Sequence, residues 1–538
     1  MALINISIPI PEKKISYKKD NKGNVKYVYH VLGHRRNKNG TPTCDEVIVG
    51  KIDPDRQGRM IPNENFRKYY PMPSDVIDLA SSRFVWDAGH VVALKMRAEA
   101  IGLLKCLKTI FPDKYEDIFY TALYMACEGN VMMNIDNFLQ NTLTPKNISL
   151  SSQKTSELFS SITKQDQMKF FSVWKNHAMK NNETVAYDVT SLSTYADLPL
   201  AENGYNRDKE YLPQLNVGLL YATDSNLPIS FFLYSGSVVD KVFLTTMMEY
   251  SKSLGIDDIF YVLDRGFITK ENLEYIKKEQ IEFLVAVPKS QKNYNDTMRE
   301  ASVTLRSSRN HISGTNCYGV RKDIVINGEK FSLYVYLNTK SASEEESTLY
   351  SHIDRLEDEL KEMKKPMSMS RYSKYYKIKT KKEVQLESFE RDHEKITDIL
   401  SMLGVFAFLS NHSTMTPQEA LHIYSRRDFI EKAFDNLKNE LDNDRMLTHN
   451  EKTTDGKSFV SFLSLIMWSD LQRTINNNNK KVEKTIQRVL EALKMIRRID
   501  NENLSMLLQP LTKKQKDILE ALEIDQKIFV DKILNTKV

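Results

Sequence analysis

The sequence predicts a multidomain α+β protein, and three features support this fold class. Its 538 residues are 41% hydrophobic and 27% charged, which is typical of a globular chain long enough for several domains. Apolar and polar residues alternate near the amino terminus, and apolar residues recur at helical spacing after that. Strand and helix patterns then alternate. We therefore expect a β module, a helical region and an α/β domain in succession.

Residues 1–80 are predicted to form a small β-rich amino-terminal module. The alternation is clearest in VKYVYHVLG and DEVIVGKI. His30 and His34 are four residues apart, but on a strand they share no helical face, so we do not interpret them as a metal site.

Residues 88–180 are predicted to be helical. VVALKMRAEAIGLLKCLKTIF, YEDIFYTALYMACEG and QMKFFSVWKNHAMK all carry apolar residues at helical spacing. A helix of this region placed in a major groove would make it a DNA-end-binding region. A solvated basic face explains its Lys and Arg residues equally well.

Residues 183–290 have the pattern of an α/β domain. ETVAYDVTS, QLNVGLLYAT and PISFFLYSG are predicted strands; a helix, the strand DIFYVLD, a second helix and the strand EFLVAVPK follow. Three strands followed by alternating helices and strands are the order of a ribonuclease H-like fold. This block is the first part of that predicted core.

Two acids come at the ends of predicted strands. Asp188 closes or nearly closes the first strand, and Asp264 ends the fourth. Each acid alone is also explained as the start of a turn. A fold that brings both strands to one cleft would place the two side chains together.

A third acid, Glu431, lies in a predicted helix over residues 421–443. At about 100° per residue, Tyr424, Arg427, Glu431 and Lys438 fall within about 60° of one another. Apolar residues occupy the opposite face. The sequence therefore predicts a polar helix face turned towards a groove.

Three carboxylates on two strands and a helix suit two Mg²⁺ ions, with Mn²⁺ as a substitute. Such ions take hard oxygen ligands and leave room for phosphate and water. We expect Asp188, Asp264 and Glu431 to be both the catalytic and the metal-binding residues. No general-base side chain is then required.

The long interval between Asp264 and Glu431 predicts an insertion in the core. Residues 291–402 contain a hairpin pattern with Asn-Gly at its turn, followed by a helical arm in which apolar residues are spaced by four and three. The arm is either an intramolecular element or a dimer contact. Residues 403–475 return to the core, and residues 476–538 are predicted to be carboxy-terminal helices.

A basic and aromatic segment, RYSKYYKIKTKK, follows the arm. Its cations suit a DNA backbone and its rings suit unpaired bases. The candidate DNA-binding residues here are Arg371, Lys374, Tyr375, Tyr376 and Lys377. A solvated basic linker is the alternative interpretation.

The spacing Tyr-x2-Arg-x3-Glu-x6-Lys at Tyr424, Arg427, Glu431 and Lys438 resembles the signature of the YREK subgroup of bacterial DDE transposases. The resemblance covers roughly residues 185–475. DRGF at Asp264 is similar to the second-acid motif of the family. Five further residues match the segment after the first acid: Gly204, Arg207, Asp208, Pro213 and Gln214. Asn206 and Ser237 depart from the pattern, where serine and asparagine are common.

The resemblance implies a DNA transposase of a bacterial insertion sequence. It would bind terminal inverted repeats in double-stranded DNA, cut by metal-activated hydrolysis and join the 3′-hydroxyl ends to target DNA by transesterification. A homodimer or larger assembly would pair the ends. Tyr424, Arg427 and Lys438 would contact phosphates, as DNA-binding residues.

Some members of the subgroup form a DNA hairpin with the help of a stacking tryptophan. No tryptophan lies between Asp264 and Glu431 here, so Tyr372, Tyr375 or Tyr376 would have to substitute. A nuclease without strand transfer and a domesticated, non-catalytic DNA-binding protein remain alternatives.

Composition limits the location and the chemistry. The formal net charge is +5, so cations must be concentrated locally to bind a polyanion. The four cysteines form no CxxC pair, which argues against zinc and disulfide scaffolds. No signal peptide is recognised, and the apolar run at residues 459–468 is too short to span a bilayer. We expect a cytoplasmic, nucleoid-associated protein without a membrane partner.

Overall fold

Two structural units are built from interleaved segments of the chain. The computed structural model describes residues 7–19, 25–36, 41–54, 56–63, 65–71, 84–180, 183–204, 212–256, 259–362, 369–381, 385–478, 482–501 and 504–537. Asn206, Arg207 and Asp208 lie outside these residues. The first unit comprises Met1–Leu104, Glu116–Thr155 and Asp470–Val538, and the second comprises Lys105–Tyr115 and Ser156–Ser469. The six predicted segment boundaries stay a prediction.

A five-stranded antiparallel sheet forms from the amino-terminal residues. Its elements are β1 (Ile8–Pro9), β2 (Ile15–Lys19), β3 (Val25–Arg36), β4 (Pro42–Ile52) and β5 (Arg59–Pro62), with a short helix α1 (Phe66–Tyr69) after them. The strand order is β1-β5-β4-β3-β2. The buried His30 stacks on Tyr69 and has Nδ1 2.7 Å from the Tyr70 hydroxyl. His30 is thus a core residue of the sheet.

The next elements are mainly helical, as predicted. They are β6 (Phe84–Asp87), α2 (Gly89–Ala100), α3 (Leu103–Ile110), α4 (Tyr115–Glu128), α5 (Ile135–Asn141), α6 (Ser152–Ser160) and α7 (Lys164–Ala178). The first predicted helix is divided into α2 and α3. Gly102 has a φ of 80°, in the left-handed region that ends helices and favours glycine.

The predicted strands and helices of the α/β block are all present. They are β7 (Thr184–Ser193), β8 (Gln214–Ala222), β9 (Leu227–Ser235), α8 (Asp240–Ser253), β10 (Phe260–Leu263), α9 (Lys270–Lys278) and β11 (Glu282–Ala286). β7, β8 and β9 pair antiparallel in succession. β10 lies parallel to β7 on its other side, and β11 lies parallel to β10.

The predicted insertion extends this sheet. It contains α10 (Lys292–Leu305), β12 (Cys317–Ile326), β13 (Glu329–Asn338), α11 (Thr339–Glu362), α12 (Met369–Tyr372), β14 (Tyr376–Lys381), β15 (Gln385–Arg391) and α13 (His393–Leu400), before β16 (Val405–Ser410). Asn327 and Gly328 both have positive φ at the predicted hairpin turn. Pairing of β13 with β16 gives an eight-stranded sheet in the order β12-β13-β16-β11-β10-β7-β8-β9.

The helical arm has a hydrophobic core within this chain. Ile353, Leu356 and Leu360 of α11 are buried together with the tyrosines that follow the helix and with Ile396 of α13. The apolar seam of α11 is therefore covered by its own chain, which favours the intramolecular arm; a dimer contact of the arm stays a prediction.

The predicted helix over residues 421–443 is broken, which corrects the expectation of one continuous α-helix. It forms α14 (Pro417–Ser425), α15 (Asp428–Asp435) and a π-turn (Asn436–Glu440). The backbone N–H groups of Arg426 and Arg427 bond to carbonyls three residues back, which tightens the chain between the helices. The predicted apolar face, Ile430 to Leu441 at helical spacing, is buried.

A long helix, α16 (Glu451–Asn477), contains the apolar run, and residues 459–468 are buried in it, as predicted for a core helix. Among the helices of the described ranges, none is long and apolar enough to cross a lipid bilayer.

The carboxy-terminal residues include a hairpin, which corrects the expectation of helices alone. They form α17 (Ile486–Lys494), β17 (Arg497–Asn501), β18 (Leu504–Leu508), α18 (Lys513–Ala521) and α19 (Gln526–Asn535). β17 pairs with β6 and β18. Arg498 is buried in this arrangement, where Asp500 and the Ile533 carbonyl accept its hydrogen bonds. These distant partners override the helical periodicity of the local sequence.

Candidate active site

Asp188 and Asp264 lie at the same level on neighbouring parallel strands. In the pairing of β7 with β10, Val262 is opposite Ala186. Two residues further along come Asp188, within β7, and Asp264, the residue directly after β10. Because side chains alternate along extended chain, both are expected on the same face. β7 continues to Ser193, so Asp188 is an interior strand residue instead of a strand end.

The Arg427 guanidinium contacts all three predicted acids. Its Nη2 atom lies 2.7 Å from Oδ2 of Asp188 and 3.9 Å from Oδ2 of Asp264. Its Nη1 atom donates to Oε1 of Glu431. The three acids, far apart in sequence, are thereby gathered around one cation at the junction of α14 and α15.

Burial differs among these groups. Asp188 and Arg427 are 4% and 8% exposed, whereas the side chains of Asp264 and Glu431 are 39% and 56% exposed. Burial lowers the pKa of Arg427, but the charges of Asp188, Tyr424, Asp264 and Glu431 outweigh it, so the pKa is raised overall. Arg427 therefore stays a cation among carboxylates that outnumber it.

An open cleft of about 1120 Å³ lies in front of these residues. The three acids and Arg427 line it, together with residues 286–290 at and after the end of β11, residues 406–408 of β16, and side chains of α14 and α15. The cleft is thus polar at the acids and largely apolar along β16.

Tyr424 also lines the cleft, and its ring is packed. The rings of Tyr424 and Phe408 stack with centroids 4.0 Å apart. Burial raises the pKa of Tyr424. Its hydroxyl therefore stays protonated at neutral pH, when it can donate a hydrogen bond.

The donor chemistry of the cleft fits a divalent cation. Carboxylate oxygens are the ligands that Mg²⁺ and Mn²⁺ favour. Within the described ranges, no three His, Cys, Asp or Glu residues lie close enough together to hold a metal ion as they stand. Arg427 occupies the position between the acids, so the cation that balances them here is a guanidinium.

The family model described as "Transposase DDE domain" matches residues 180–467, which is more than half of the chain. The chain belongs to the DDE transposase family. The matched residues include the whole DDE transposase cleft, from Asp188 to Phe434. No curated protein matches the chain.

Three solved transposase complexes are similar to this DDE transposase at low identity. The piggyBac transposase synaptic complex with hairpin DNA is 11% identical, over 84% of this chain and 76% of that one, with a TM-score of 0.31. The pre-cleavage Mos1 transpososome is 8% identical, over 34% and 57%, with a TM-score of 0.14. The Drosophila P element transposase strand transfer complex is 12% identical, over 81% and 79%, with a TM-score of 0.14.

Lys438 is not among the described residues that line the DDE transposase cleft. It lies in the π-turn and is half-buried. The break at Arg426 and Arg427 and the wider π-turn change the rotation between Tyr424 and Lys438, so the predicted single stripe is not formed. Tyr424, Arg427 and Glu431 remain together in the cleft.

Two of the candidate DNA-binding residues after the arm are buried. Tyr375 and Tyr376 are 7% and 1% exposed and belong to the core of the arm. The Tyr376 hydroxyl donates to the Ile353 carbonyl over 2.7 Å. Tyr372, 2% exposed, is packed in the same core. These rings therefore present little surface in this structure, and their stacking on unpaired bases stays a prediction.

The cations of the same segment are exposed. Lys374 and Lys377 extend from the arm, and Arg371 pairs with Glu359 at 3.0 Å. Their contact with DNA stays a prediction.

Sequence reasoning missed several polar residues that line the cleft, among them Thr190, Arg265 and Lys289. Arg265 follows Asp264 directly, and Lys289 follows β11, the parallel neighbour of β10. Arg265 and Lys289 could have been predicted from the sequence, because both follow predicted parallel strands, and the carboxyl ends of adjacent parallel strands meet at one edge of a sheet.

Proposed function

We propose that this chain is a transposase of a bacterial insertion sequence, of the YREK subgroup, that cuts DNA at transposon ends and joins them to target DNA. The observation that carries the proposal is the convergence of Asp188, Asp264 and Glu431 on Arg427 within one cleft. Family membership supports the same reaction class.

We further propose that residues 183–290 and 403–475 form a ribonuclease H-like core. The strand order β9-β8-β7-β10-β11 supports this, with the first three strands antiparallel and the last two parallel to β7. In such a core the two aspartates stand on adjacent central strands, and the third acid comes from a later helix.

Asp188, Asp264 and Glu431 are the proposed ligands of two Mg²⁺ ions, with Mn²⁺ as a substitute. When bound, the ions activate a water or a 3′ hydroxyl and stabilise the leaving 3′ oxygen. Asp188 is oriented for this role, because its Oδ1 accepts the Val189 N–H over 2.8 Å. Glu431, the most exposed of the three, has the most freedom to adjust to DNA.

Arg427 balances the charge of the acids. Its Nη1 and Nη2 atoms are directed at carboxylates, and its Nε atom is buried without a hydrogen-bond partner among the described residues. Arg427 would have to release at least one acid before it could hold a phosphate. Tyr424 and Lys438, with Arg371, Lys374 and Lys377 on the arm, are the remaining proposed DNA contacts.

Joining is a one-step exchange of phosphodiester bonds. The 3′-hydroxyl oxygen of the cut end attacks a target phosphorus, and its proton passes to solvent. The bond from that phosphorus to the target strand's own 3′ oxygen breaks, and the leaving oxygen takes up a proton from solvent. A homodimer or larger assembly would hold both ends. The four cysteines are free thiols, which fits the proposed location in a reducing bacterial cytoplasm. Binding to chromosomal DNA would associate the protein with the nucleoid.

The deciding experiment is cleavage of linear DNA that carries the flanking ends of the encoding element, in Mg²⁺ and in EDTA. Wild type should cut at the ends only with metal, and Glu431→Gln and Asp188→Asn should not cut. Asp435→Asn is the matched control, because Asp435 is an exposed acid of α15 outside the described cleft lining.

The two alternatives give different products in the same experiment. Metal-dependent cuts without joined products from a 3′-hydroxyl end would indicate a nuclease. End binding without any cut, in wild type and variants alike, would indicate a non-catalytic DNA-binding protein. Full cleavage by Asp188→Asn would remove the proposed catalytic residues.

A further inference from the structure

Two cations of the cleft, Arg265 and Lys289, have no role so far. Among the described residues that line the cleft, Arg427 is the third cation, and its Nη atoms bond to acids. Lys438 lies outside that lining. If DNA enters the cleft, the positive charge available to its phosphates comes from Arg265 and Lys289.

Both cations are held at the carboxyl edge of the sheet. Arg265 begins a short 3-10 turn, Arg265–Phe267, that follows Asp264. Lys289 comes three residues after the end of β11, and its Nζ atom donates to the Met402 carbonyl over 3.3 Å. Adjacent parallel strands thus bring an acid and two cations to one edge of the cleft.

Neither cation is neutralised by the protein. In the part of the chain that the structure describes, Arg265 and Lys289 form no ion pair, whereas nearby Lys270 and Lys277 pair with Glu274 and Glu329. Both side chains are exposed at the cleft. Walls of low polarity along residues 406–408 strengthen attraction between these cations and an anion.

We propose that Arg265 and Lys289 bind backbone phosphates of the DNA strand that lies in the cleft next to the three acids. This inference rests on the proposed function and deepens it. The two cations position the strand, while the acids carry the chemistry. A positioning role predicts a loss of DNA affinity that is present without any metal.

The test is binding of a fluorescent duplex with the encoding element's end sequence to the full chain in EDTA, between about 50 and 200 mM salt. Log affinity falls as log salt rises. In the double variant Arg265→Gln/Lys289→Gln this slope should be less steep by about two, one for each lost phosphate contact. Arg265→Lys/Lys289→Arg should keep the wild-type slope, because charge is retained.

The matched control is Arg306→Gln/Lys292→Gln. Arg306 and Lys292 are exposed cations close in sequence, outside the described cleft lining. The control should keep the wild-type slope. All variants should melt within about 2 °C of wild type, because exposed side chains contribute little to stability.

The outcomes separate this inference from the proposed function. If wild type cleaves in Mg²⁺ but the double Gln variant keeps the wild-type slope, the phosphate-binding role is wrong and the transposase proposal stands. If the slope falls only in Arg427→Gln, Arg427 is the phosphate ligand and our inference fails. If no protein cleaves the DNA, the proposed function fails, whatever the slopes show.

Discussion

At the scale of single residues, Arg427 is what allows three acids to share a cleft. Carboxylates that face one another without a cation repel, and Asp188 has little access to water. The Arg427 guanidinium offsets this repulsion. Substitution of Arg427 should therefore lower the stability of the protein, and a loss of activity should follow from this.

We predict that Arg427→Gln lowers the free energy of unfolding by about 3 kcal/mol in EDTA, because the buried Asp188 carboxylate loses its ion pair with Arg427. Mg²⁺ should recover much of the loss, since a ligand that binds the native state stabilises it. Calorimetry in EDTA and in MgCl₂ measures both effects. Lys432→Gln, an exposed cation of α15, is the control. A loss that Mg²⁺ leaves unchanged would contradict the charge-balancing role.

His90 offers a second residue-scale prediction. It is 1% exposed, and both ring nitrogens lack hydrogen-bond partners among the described residues. Burial, followed by the charge of Lys494, lowers the pKa of His90 to about 3. Between about pH 6.5 and pH 3 the unfolded chain therefore takes up a proton that the native protein excludes, so stability falls as pH falls.

His90→Leu should remove this acid sensitivity. When the pH is lowered from 7.5 to 5, the free energy of unfolding of the variant should rise by about 2 kcal/mol relative to that of wild type. Thermal unfolding at both pH values measures the gain, and His449→Leu at an exposed position is the control. If the stability of wild type and of His90→Leu changed equally between pH 7.5 and pH 5, the His90 ring would take up its proton in the native protein as readily as in the unfolded chain, and the prediction would be wrong.

At the scale of elements, the turn before β16 fixes the wall of the cleft. Gly404 has a φ of 69°, and a Cβ atom there would lie 2.4 Å from the Asn338 carbonyl oxygen and 2.7 Å from the Ala342 Cβ. Gly328 in the β12–β13 hairpin has a φ of 82° but no atom within 4 Å of its added Cβ. Substitution of Gly328 therefore tests backbone strain alone, whereas substitution of Gly404 tests backbone strain together with steric overlap.

Gly328→Ala should cost about 1 kcal/mol, the strain of a left-handed residue with a Cβ. Gly404→Ala should cost about 3 kcal/mol, because overlap with backbone atoms is added to the same strain. Urea denaturation of both variants measures the difference. Equal losses would mean that β16 and α11 move apart readily, and that the wall of the cleft is less fixed than its contacts indicate.

At the scale of the whole molecule, sequence alone predicted what local patterns determine. The strands and helices of residues 183–290 follow from periodicity, and the Asn327–Gly328 turn follows from its residues. Glu431 was found because the spacing from Tyr424 to Lys438 is specific, and Asp188 and Asp264 were found because they lie at or near the ends of predicted strands. Their convergence on one guanidinium required the pairing of β7 with β10, which the local sequence does not encode.

The features that sequence analysis missed depend on distant partners. β17 is a strand because it pairs with β6, more than 400 residues earlier in the chain. Tyr375 and Tyr376 look like DNA-stacking residues beside lysines, but α11 supplies an apolar surface that buries them. The helix breaks directly before α15, at Arg427, whose side chain bonds to Asp188 of β7. This contact joins elements that are distant in sequence.

The continuity of the eight-stranded sheet has a mechanical consequence. β13 ends at Asn338 and α11 begins at Thr339, with no linker between them. Residues 332–337 of β13 pair with β16, whose residues 406–408 form a wall of the cleft. A movement of α11 caused by a bound partner should therefore displace β13, and through its pairing with β16 the wall of the cleft beside the acids.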